Sequence, residues 1–199
     1  MAATRLAIIG AGELGLQLLD LSQNATDEFD VVGFFDDTKE PGTHISNIPV
    51  IGGLKDIESS FQNSYFDMIV IAIGYKHMKF RDSLFTQYYS NIPFATIIHK
   101  SCLINSLAKY SIVSLDSENI NSLAKIKQGS VIYQGCIIDK NVTIGRNVLL
   151  NLGVTVAHDT SIGDNSFLAP RVAISGFVKI GKSCFAGTNS TIIDNLTIG

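Results

Sequence analysis

A histidine followed by an acidic residue, His158-Asp159, is the pair in this sequence best suited to acid–base chemistry. Asp159 can orient the imidazole or stabilise its charged form, and an imidazole can accept a proton near neutral pH. In a chain wound in coils of 18 residues, Gly176 would place a bare backbone N–H about 5 Å from this histidine. A base beside an oxyanion donor suits acyl transfer. The alternative of an ordinary surface histidine stays open on these residues alone.

A second candidate site is the glycine-rich segment GAGELG at residues 10–15, which follows an apolar run and opens a predicted helix. Glycines let the backbone approach a pyrophosphate, whose charge is favoured by the free N–H groups at a helix start. The next apolar run ends in acidic residues, where dinucleotide-binding domains keep the carboxylate that binds a ribose. The segment does not distinguish NAD from a nucleotide sugar, and a tight turn without a ligand is the alternative. The predicted substrate-binding residues here are Gly10, Gly12, Glu13, Gly15, Asp36, Asp37 and Gly74.

The first half of the chain must position the glycine-rich segment, and its pattern is that of an α/β domain. Short apolar runs (LAIIG, VVGFFD, IPVIGG, MIVIAIG and FATIIH) alternate with helical stretches near 14–22, 54–61 and 76–88. This alternation predicts a Rossmann-like domain with a parallel sheet.

The second half must position His158, and it repeats every six residues. From Ile126 to Ile198, thirteen positions spaced six residues apart carry an aliphatic side chain or Ala, and a mostly small residue follows four positions after each of the first twelve. Such hexapeptides predict a parallel β-helix, and Ile-Gly pairs recurring at 18 residues mark complete turns of a triangular coil. Permissive residues are predicted at tight corners with unusual dihedrals, namely Gly145, Gly163, Gly181, Asn147, Asn165 and Ser183.

These patterns predict two domains, residues 1–98 and 99–199, with a protruding loop or irregular first coil near 111–122. A net charge of −3, without clusters of Lys and Arg, argues against partnership with nucleic acid or acidic membranes. The longest apolar runs are too short to span a bilayer, and the N-terminus lacks the order of a signal peptide, so a cytoplasmic location is expected. The three cysteines are expected to be reduced filler residues.

The conjunction of the two halves resembles a known family. The segments IIGAGELG, GFFDD, VIAIG and FATIIHKS, followed by N-x-G-x-x-V-x-H-D-x-x-I-G-D, are similar to bacterial nucleotide-sugar N-acetyltransferases. These include enzymes of the bacillosamine, perosamine and 4-amino-4,6-dideoxyglucose pathways, and they share a superfamily with sialic-acid O-acetyltransferases. The resemblance covers essentially the whole chain. It implies an α/β domain followed by a left-handed β-helix, a homotrimer, and active sites in grooves between neighbouring solenoids.

The resemblance also implies roles for individual residues. The small domain would hold the nucleotide, and acetyl-CoA would lie along the β-helix as the acyl donor. His158 would be the general base, Asp159 its support and Asn151 a contact to the sugar or to His158, while the Gly176 amide would face the thioester carbonyl. Relatives often carry a second histidine nine residues after the first; here that position is Phe167, an apolar candidate for contact with acetyl-CoA.

The expected function is metal-free, acetyl-CoA-dependent N-acetylation of the 4-amino group of a dTDP- or UDP-linked 4-amino-4,6-dideoxyhexose. One alternative is a sugar O-acetyltransferase of the sialic-acid type. Another is a catalytically silent trimeric scaffold that binds a nucleotide, because relatives usually continue beyond the position of Gly199 through a further coil and a segment that holds part of CoA. The sequence leaves the nucleotide base and the stereochemistry of the sugar open.

Overall fold

The computed structural model describes residues 3–105 and 124–199. The chain divides into two compact units, Met1–Ala95 and Thr96–Gly199. The domain limits predicted from the sequence differ from this division by residues 96–98, of which Ile97 and Ile98 pair with Val131–Ile132. The segment 111–122, predicted to be a loop or irregular coil, lies outside the described residues.

The first unit is the predicted α/β domain, built on a five-stranded sheet of order β3-β4-β2-β1-β5. The pairs β4-β2, β2-β1 and β1-β5 are parallel, and β3-β4 is antiparallel. The strands are β1 (Thr4–Ile9), β2 (Phe29–Phe35), β3 (His44–Ile45), β4 (Ile48–Gly52) and β5 (Met68–Ile71). The helices are α1 (Glu13–Gln23), α2 (Ile57–Gln62) and α3 (Met78–Tyr88), with 3₁₀ turns at Leu54–Asp56 and Tyr75–His77.

The central strand of this sheet is buried on both faces, which explains its uninterrupted apolar run. Consecutive side chains from Leu6 to Ile9 have no exposed surface. Ala7 and Ile9 belong to a cluster with side chains of α2 and α3, while the opposite face carries Phe34, near the start of α1. A parallel sheet covered by helices on both faces requires apolar residues at successive positions rather than alternate ones.

The short hairpin β3-β4 adds an antiparallel pair to the sheet. The predicted parallel sheet is therefore mixed, and the sequence did not indicate this hairpin. Ser46 and Asn47 join the two strands, and both have positive φ, 49° and 68°. Two successive residues of positive φ are the backbone of a type I′ hairpin turn, which usually contains glycine. Because Ser-Asn lacks the glycine, the sequence indicates this hairpin turn less clearly than an Asn-Gly pair would.

The second unit is the predicted β-helix, in which fifteen two-residue strands of the described chain stack into three five-stranded sheets. Within the regular repeat each strand pairs in parallel with the strands 18 residues away, as Thr155–Val156 does with Ile137–Ile138 and Ala173–Ile174. The predicted triangular coil is thereby confirmed. The strands are β6 (Ile97–Ile98), β7 (Leu103–Ile104), β8 (Lys125–Ile126), β9 (Val131–Ile132), β10 (Ile137–Ile138), β11 (Thr143–Ile144), β12 (Leu149–Leu150), β13 (Thr155–Val156), β14 (Ser161–Ile162), β15 (Phe167–Leu168), β16 (Ala173–Ile174), β17 (Lys179–Ile180), β18 (Phe185–Ala186), β19 (Thr191–Ile192) and β20 (Thr197–Ile198).

The interior of the coil is one apolar cluster formed by the two predicted columns. The second residue of each strand from Ile126 to Ile180 points inward and is buried, and the small slot four residues later fills the adjoining space, as Val142 and Val148 do. Cys102 and Cys136 are buried thiols in this packing. A hydrogen bond with the Cys102 thiol, together with burial, raises the pKa of Cys136, so its reactive thiolate is disfavoured.

Every corner of the regular coil contains one residue in the left-handed region. Positive φ recurs every six residues among the described positions, at Gly129, Gly135, Asn141, Asn147, Gly153, Asp159, Asn165, Arg171, Phe177, Ser183, Asn189 and Asn195. The prediction of unusual dihedrals is correct for Asn147, Asn165 and Ser183 and wrong for Gly145, Gly163 and Gly181. Those glycines are required by close approach of stacked coils, since a Cβ on Gly163 would lie 2.5 Å from the Gly181 carbonyl carbon.

Candidate acyl-transfer site and nucleotide site

His158 projects from the corner between β13 and β14, and 41% of its side chain is exposed. The next residue, Asp159, has φ 58° and brings its carboxylate back to the imidazole, with Nδ1 of His158 2.9 Å from Oδ2. Aspartate is among the few residues that accept this backbone conformation readily. The structure therefore brings the two predicted catalytic residues into direct hydrogen-bonding contact.

The Asp159 carboxylate is fixed from the coil below. Nδ2 of Asn141 donates to Oδ1 of Asp159 at 2.9 Å, and the Asp159 N–H donates to the Lys140 carbonyl. The hydrogen bond from Asn141, and then the bond with His158, hold the pKa of Asp159 below its ordinary value. An ionised carboxylate only accepts hydrogen bonds, so Nδ1 of His158 carries the proton and Nε2 keeps its lone pair. This arrangement leaves Nε2 as the nitrogen that can accept a proton, and the action of His158 as a base stays a prediction.

A second carboxylate faces the histidine from the same lower coil. Asp139 accepts hydrogen bonds from the Lys140 N–H and from Nδ2 of Asn105, at 2.7 and 2.8 Å. These two bonds, and then the nearby His158, hold the pKa of Asp139 below its ordinary value. The corner therefore brings two carboxylates near one imidazole.

Gly176 lies directly above the imidazole, as the 18-residue spacing predicts. A Cβ on Gly176 would lie 2.8 Å from Cε1 and 3.1 Å from Nε2 of His158, so the ring occupies the space that a side chain would need. Within the described chain, the Gly176 N–H donates to no protein acceptor, while its carbonyl accepts from the Asn195 N–H. A spare backbone donor thus lies beside the imidazole, and its action on an oxyanion stays a prediction.

Two residues that contact this site, Asn141 and Phe177, were not predicted from the sequence. Asn141 lies 18 residues before Asp159, and Phe177 lies 18 residues after it, so all three share one column of the stack. The Phe177 ring centroid lies 5.2 Å from that of His158, with the rings nearly perpendicular at 86°. Counting in steps of 18 from Asp159, as well as from His158, would have found both residues.

Asn151 lies at the preceding corner of the coil, after β12 rather than after β13. Its Oδ1 accepts the Leu152 N–H at 2.8 Å, and no hydrogen bond joins it to His158 within the described chain. A single chain does not bring Asn151 and the imidazole together. Its predicted contact with the sugar or with His158 therefore stays a prediction and requires substrate or a neighbouring chain.

Phe167 opens β15 and points outward from a different sheet of the coil from that of His158. Only 5% of its surface is exposed, and its ring centroid lies 6.1 Å from that of Phe185. A contact between Phe167 and acetyl-CoA stays a prediction, and it would require this covered ring to become accessible.

A cavity of about 490 Å³ opens beside the residue that precedes His158. Its walls include the outward side chains of β7, β10 and β13, and the hydrogen-bonded pair Asn105 and Asp139 lies at one end. Apolar walls with a few polar groups at one end are typical of small-molecule sites. The side chains that give it this character are Leu103, Asn105, Ile137, Asp139, Thr155 and Ala157.

The glycine-rich loop of the first unit contains two kinds of glycine. Gly10 has φ +104°, and a Cβ on Gly15 would lie 2.2 Å from the Gly10 carbonyl oxygen, so the fold itself requires both. A Cβ on Gly12 or Gly74 would meet no protein atom within 4 Å. At Gly12, and at Gly74 after β5, the fold therefore leaves space beside the backbone, and contact of either glycine with a ligand stays a prediction.

The acidic residues of the predicted nucleotide site hold the loops around it. Asp36 accepts the N–H groups of Ala11 and Thr38, both at 2.8 Å, and Asp37 accepts the Leu54 N–H at 2.8 Å. Burial opposes ionisation of Asp36, but the hydrogen bonds from Thr38 and Ala11 outweigh it and lower the pKa of that carboxyl. Glu13 is exposed in the first turn of α1, where its charge suits the helix dipole. Contacts of these three acids with a nucleotide stay predictions.

Gly12→Val is expected to raise the Michaelis constant for the sugar nucleotide and to leave that for acetyl-CoA nearly unchanged. A Cβ at this position meets no protein atom within 4 Å, so a valine side chain would enter the space that a phosphate is predicted to use. Steady-state kinetics with each substrate varied in turn measures the effect. Gly12→Thr is the matched control, because it has the same shape and is a good N-cap residue for α1.

Both Gly12 variants should show the same change in the sugar-nucleotide constant if crowding is its cause. A rise for valine alone would indicate a capping defect, and equal effects on both substrates would contradict a nucleotide site at this loop. Gly15→Ala gives a contrasting result, since its Cβ would collide with the Gly10 backbone and should lower stability rather than affinity.

Among the described residues, no helix is long and apolar enough to cross a bilayer, and no group of three or more His, Cys, Asp or Glu side chains could hold a metal ion.

Comparison with known proteins gives a family match for part of the first half and a fold match for the whole chain. Residues 5–88 match the family described as the PglD N-terminal domain. A variant of perosamine N-acetyltransferase from Caulobacter crescentus, solved with CoA and GDP-perosamine, is 17% identical, with a TM-score of 0.77 over 100% of this chain and 92% of that one. WeeI from Acinetobacter baumannii is 22% identical, with a TM-score of 0.71 over 98% of this chain and 86% of its own.

The acetyltransferase domain of PglB from Neisseria gonorrhoeae is 20% identical, with a TM-score of 0.68 over 98% of this chain and 97% of that one. The resemblance noted in the sequence is supported by the family match in the first half and by the fold over the whole chain. Residues 5–88 thus match the PglD N-terminal domain, and the whole chain has the fold of these acetyltransferases, an α/β domain followed by a left-handed parallel β-helix.

Proposed function

We propose that this protein transfers an acetyl group from acetyl-CoA to the 4-amino group of a nucleotide-linked 4-amino-4,6-dideoxyhexose. The observation that carries the proposal is the corner of the β-helix, where His158 is held by Asp159 and its Nε2 lies beside Gly176 with its spare N–H. The fold match to an acetyltransferase solved with CoA and an amino-sugar nucleotide supports this assignment.

The proposed reaction needs one base and one oxyanion donor. The neutral amine attacks the thioester carbonyl carbon, the Gly176 N–H donates to the oxygen that becomes negative, and Nε2 of His158 accepts a proton from the amine nitrogen. When the intermediate collapses, the carbon–sulfur bond breaks, the amide forms, and the imidazolium returns its proton to the CoA thiolate. Asp159, fixed by Asn141, stabilises the imidazolium between these two steps. The reaction uses no metal ion.

The α/β unit is proposed to bind the nucleotide of the substrate. The start of α1 offers backbone N–H groups, and the open positions at Gly12 and Gly74 leave room for phosphates. The expected function names a dTDP or UDP sugar, although the sequence leaves the base open, and the perosamine N-acetyltransferase was solved with a GDP sugar. The test therefore includes dTDP-, UDP- and GDP-linked sugars.

The direct test combines acetyl-CoA with dTDP-, UDP- and GDP-linked 4-amino-4,6-dideoxyhexoses and measures release of the free CoA thiol. Transfer to at least one amino sugar is the expected result, with mass spectrometry locating the acetyl group on nitrogen. The matching 4-hydroxy sugars are the control, and transfer to these alone would favour O-acetylation. Sugar-nucleotide binding without thiol release from any substrate would favour the silent scaffold and overturn the proposal.

The active assembly is expected to be a homotrimer. His158 points outward from a single coil, so a neighbouring coil would supply the wall that encloses the substrate. Sedimentation at assay concentrations should give a particle three times the 21.5 kDa mass of the chain. A stable monomer that retains full turnover would contradict a site between subunits.

A further inference from the structure

Phe177 occupies a backbone conformation that its side chain disfavours. Its φ is 57°, and ten of the twelve described corner positions of positive φ carry Gly, Asn, Asp or Ser. The two exceptions are Arg171 and Phe177. A bulky residue in the left-handed region is an outlier, and such strain persists where the surrounding structure or a function requires it.

The side chain of Phe177 lies against the base. Its ring centroid is 5.2 Å from that of His158 in an edge-to-face arrangement, and its N–H donates to the His158 carbonyl at 3.2 Å. Aromatic pairs at this separation and angle attract each other beyond their buried area. The contact is not simple core packing, because 54% of Phe177 remains exposed.

Three contacts together fix the imidazole. Asp159 holds Nδ1, Gly176 lies in contact with Cε1 and Nε2, and the Phe177 ring is set perpendicular to the imidazole. Asparagine at 177 would relieve the backbone strain but would remove the aromatic contact. The chain thus keeps a conformationally costly residue at the corner that carries His158.

We infer that Phe177 is a positioning residue, which holds the His158 imidazole so that Nε2 faces the attacking amine. This inference rests on the proposed acetyl transfer. Strain at residue 177 is the conformational cost of that orientation, and loss of the ring frees the imidazole to rotate about its side-chain torsions. A misplacement of a catalytic group by about 1 Å is enough to slow catalysis by up to roughly 10²-fold.

The test compares Phe177→Asn with Arg171→Asn, which removes the same kind of strain at a corner away from His158. Both variants should raise the melting temperature by about 2–4 °C. Only Phe177→Asn should lower kcat for acetyl transfer, by roughly 10- to 100-fold with the Michaelis constants nearly unchanged. Phe177→Tyr keeps the ring and should keep the wild-type kcat.

A readout that needs no activity separates this inference from the proposed function. The chain has four histidines, and the Cε1–H resonance of His158 can be assigned by its loss in a His158 variant. Phe177→Asn should move that resonance, because the neighbouring ring current is lost, while Phe177→Tyr and Arg171→Asn should leave it in place. An inactive wild-type enzyme would refute the acetyl transfer and leave this measurement interpretable.

An unmoved His158 resonance in Phe177→Asn would overturn the positioning role, and so would a moved resonance with unchanged kcat. A lower melting temperature for Phe177→Asn, with a higher one for Arg171→Asn, would show that Phe177 is retained for stability rather than for the base.

Discussion

Replacing His158 with alanine is expected to lower kcat for acetyl transfer by roughly 10²–10⁴, the range for loss of a general base. The imidazole is the group whose Nε2 can accept the amine proton, and Asp159 is a poor substitute because the hydrogen bond from Asn141 helps to hold its pKa below the ordinary value, which makes its carboxylate a weak base. kcat and kcat/KM should fall together, since the interaction is made in the transition state. Thiol release at saturating concentrations of both substrates measures the loss.

The control for this variant is His44→Ala, which removes an exposed histidine of the hairpin in the α/β unit. Both substitutions should change stability by no more than about 0.5 kcal/mol, as is usual at the surface. Near-normal turnover of His158→Ala would exclude the proposed base, and an equal loss in His44→Ala would point to a defect unrelated to the site.

Gly176→Ala is expected to lower kcat by about 10²-fold while the backbone donor stays in place. Its Cβ would lie 2.8 Å from Cε1 of His158, and we expect the ring to be displaced rather than the coil, because 41% of the His158 side chain is exposed and a side chain shifts more easily than stacked backbone. Displacing a catalytic group by about 1 Å is enough for a loss of this size. Stopped-flow measurement of a single turnover would place the loss in the chemical step.

Gly187→Ala is a matched control in the same coil, because its added Cβ would meet only Oγ of Ser190, at 3.8 Å. It should keep wild-type kinetics and stability. A Gly176→Ala enzyme that unfolds would contradict the expected yielding of the ring. A Gly176→Ala enzyme with full activity would show that the imidazole is not held where the structure places it.

The coil was predictable because one rule acts at every step. Each inward residue from Ile126 onward packs on residues 18 positions away, so the six-residue period of side-chain type is the period of the structure. The hairpin β3-β4 was not predictable in the same way, because Ser46 and Asn47 reach positive φ without the glycine that usually marks such a turn.

The sequence predicted the contact between His158 and Gly176, which are 18 residues apart, but not the contacts made by Asn141 and Phe177. His158 and Gly176 were paired by counting 18 residues, and the structure places them in contact. Asn141 and Phe177 follow the same spacing from Asp159, but neither residue type signals chemistry without the fold. The roles of Asn141 and Phe177 can be inferred only when the geometry of the corner beside His158 is known.

The sequence of the glycine-rich loop does not predict the role of each of its glycines. A motif of three glycines does not reveal which serve packing and which serve a ligand. The distinction depends on atoms from other segments, such as the Ala72 carbonyl oxygen, which would lie 2.9 Å from a Cβ on Gly10. Only Gly12 then remains as a position of the loop where a larger side chain tests binding without disturbing the fold.

The regular recurrence of left-handed corners has a consequence for how such a chain can change its length in evolution. Because positive φ returns every six residues and strands pair at a distance of 18, a duplication of one full turn keeps every inward side chain in register. An insertion of one or two residues within a strand would instead turn apolar side chains toward solvent. The coil can therefore gain or lose whole turns at a distance from His158 without changing the contacts that stacked residues make at that corner.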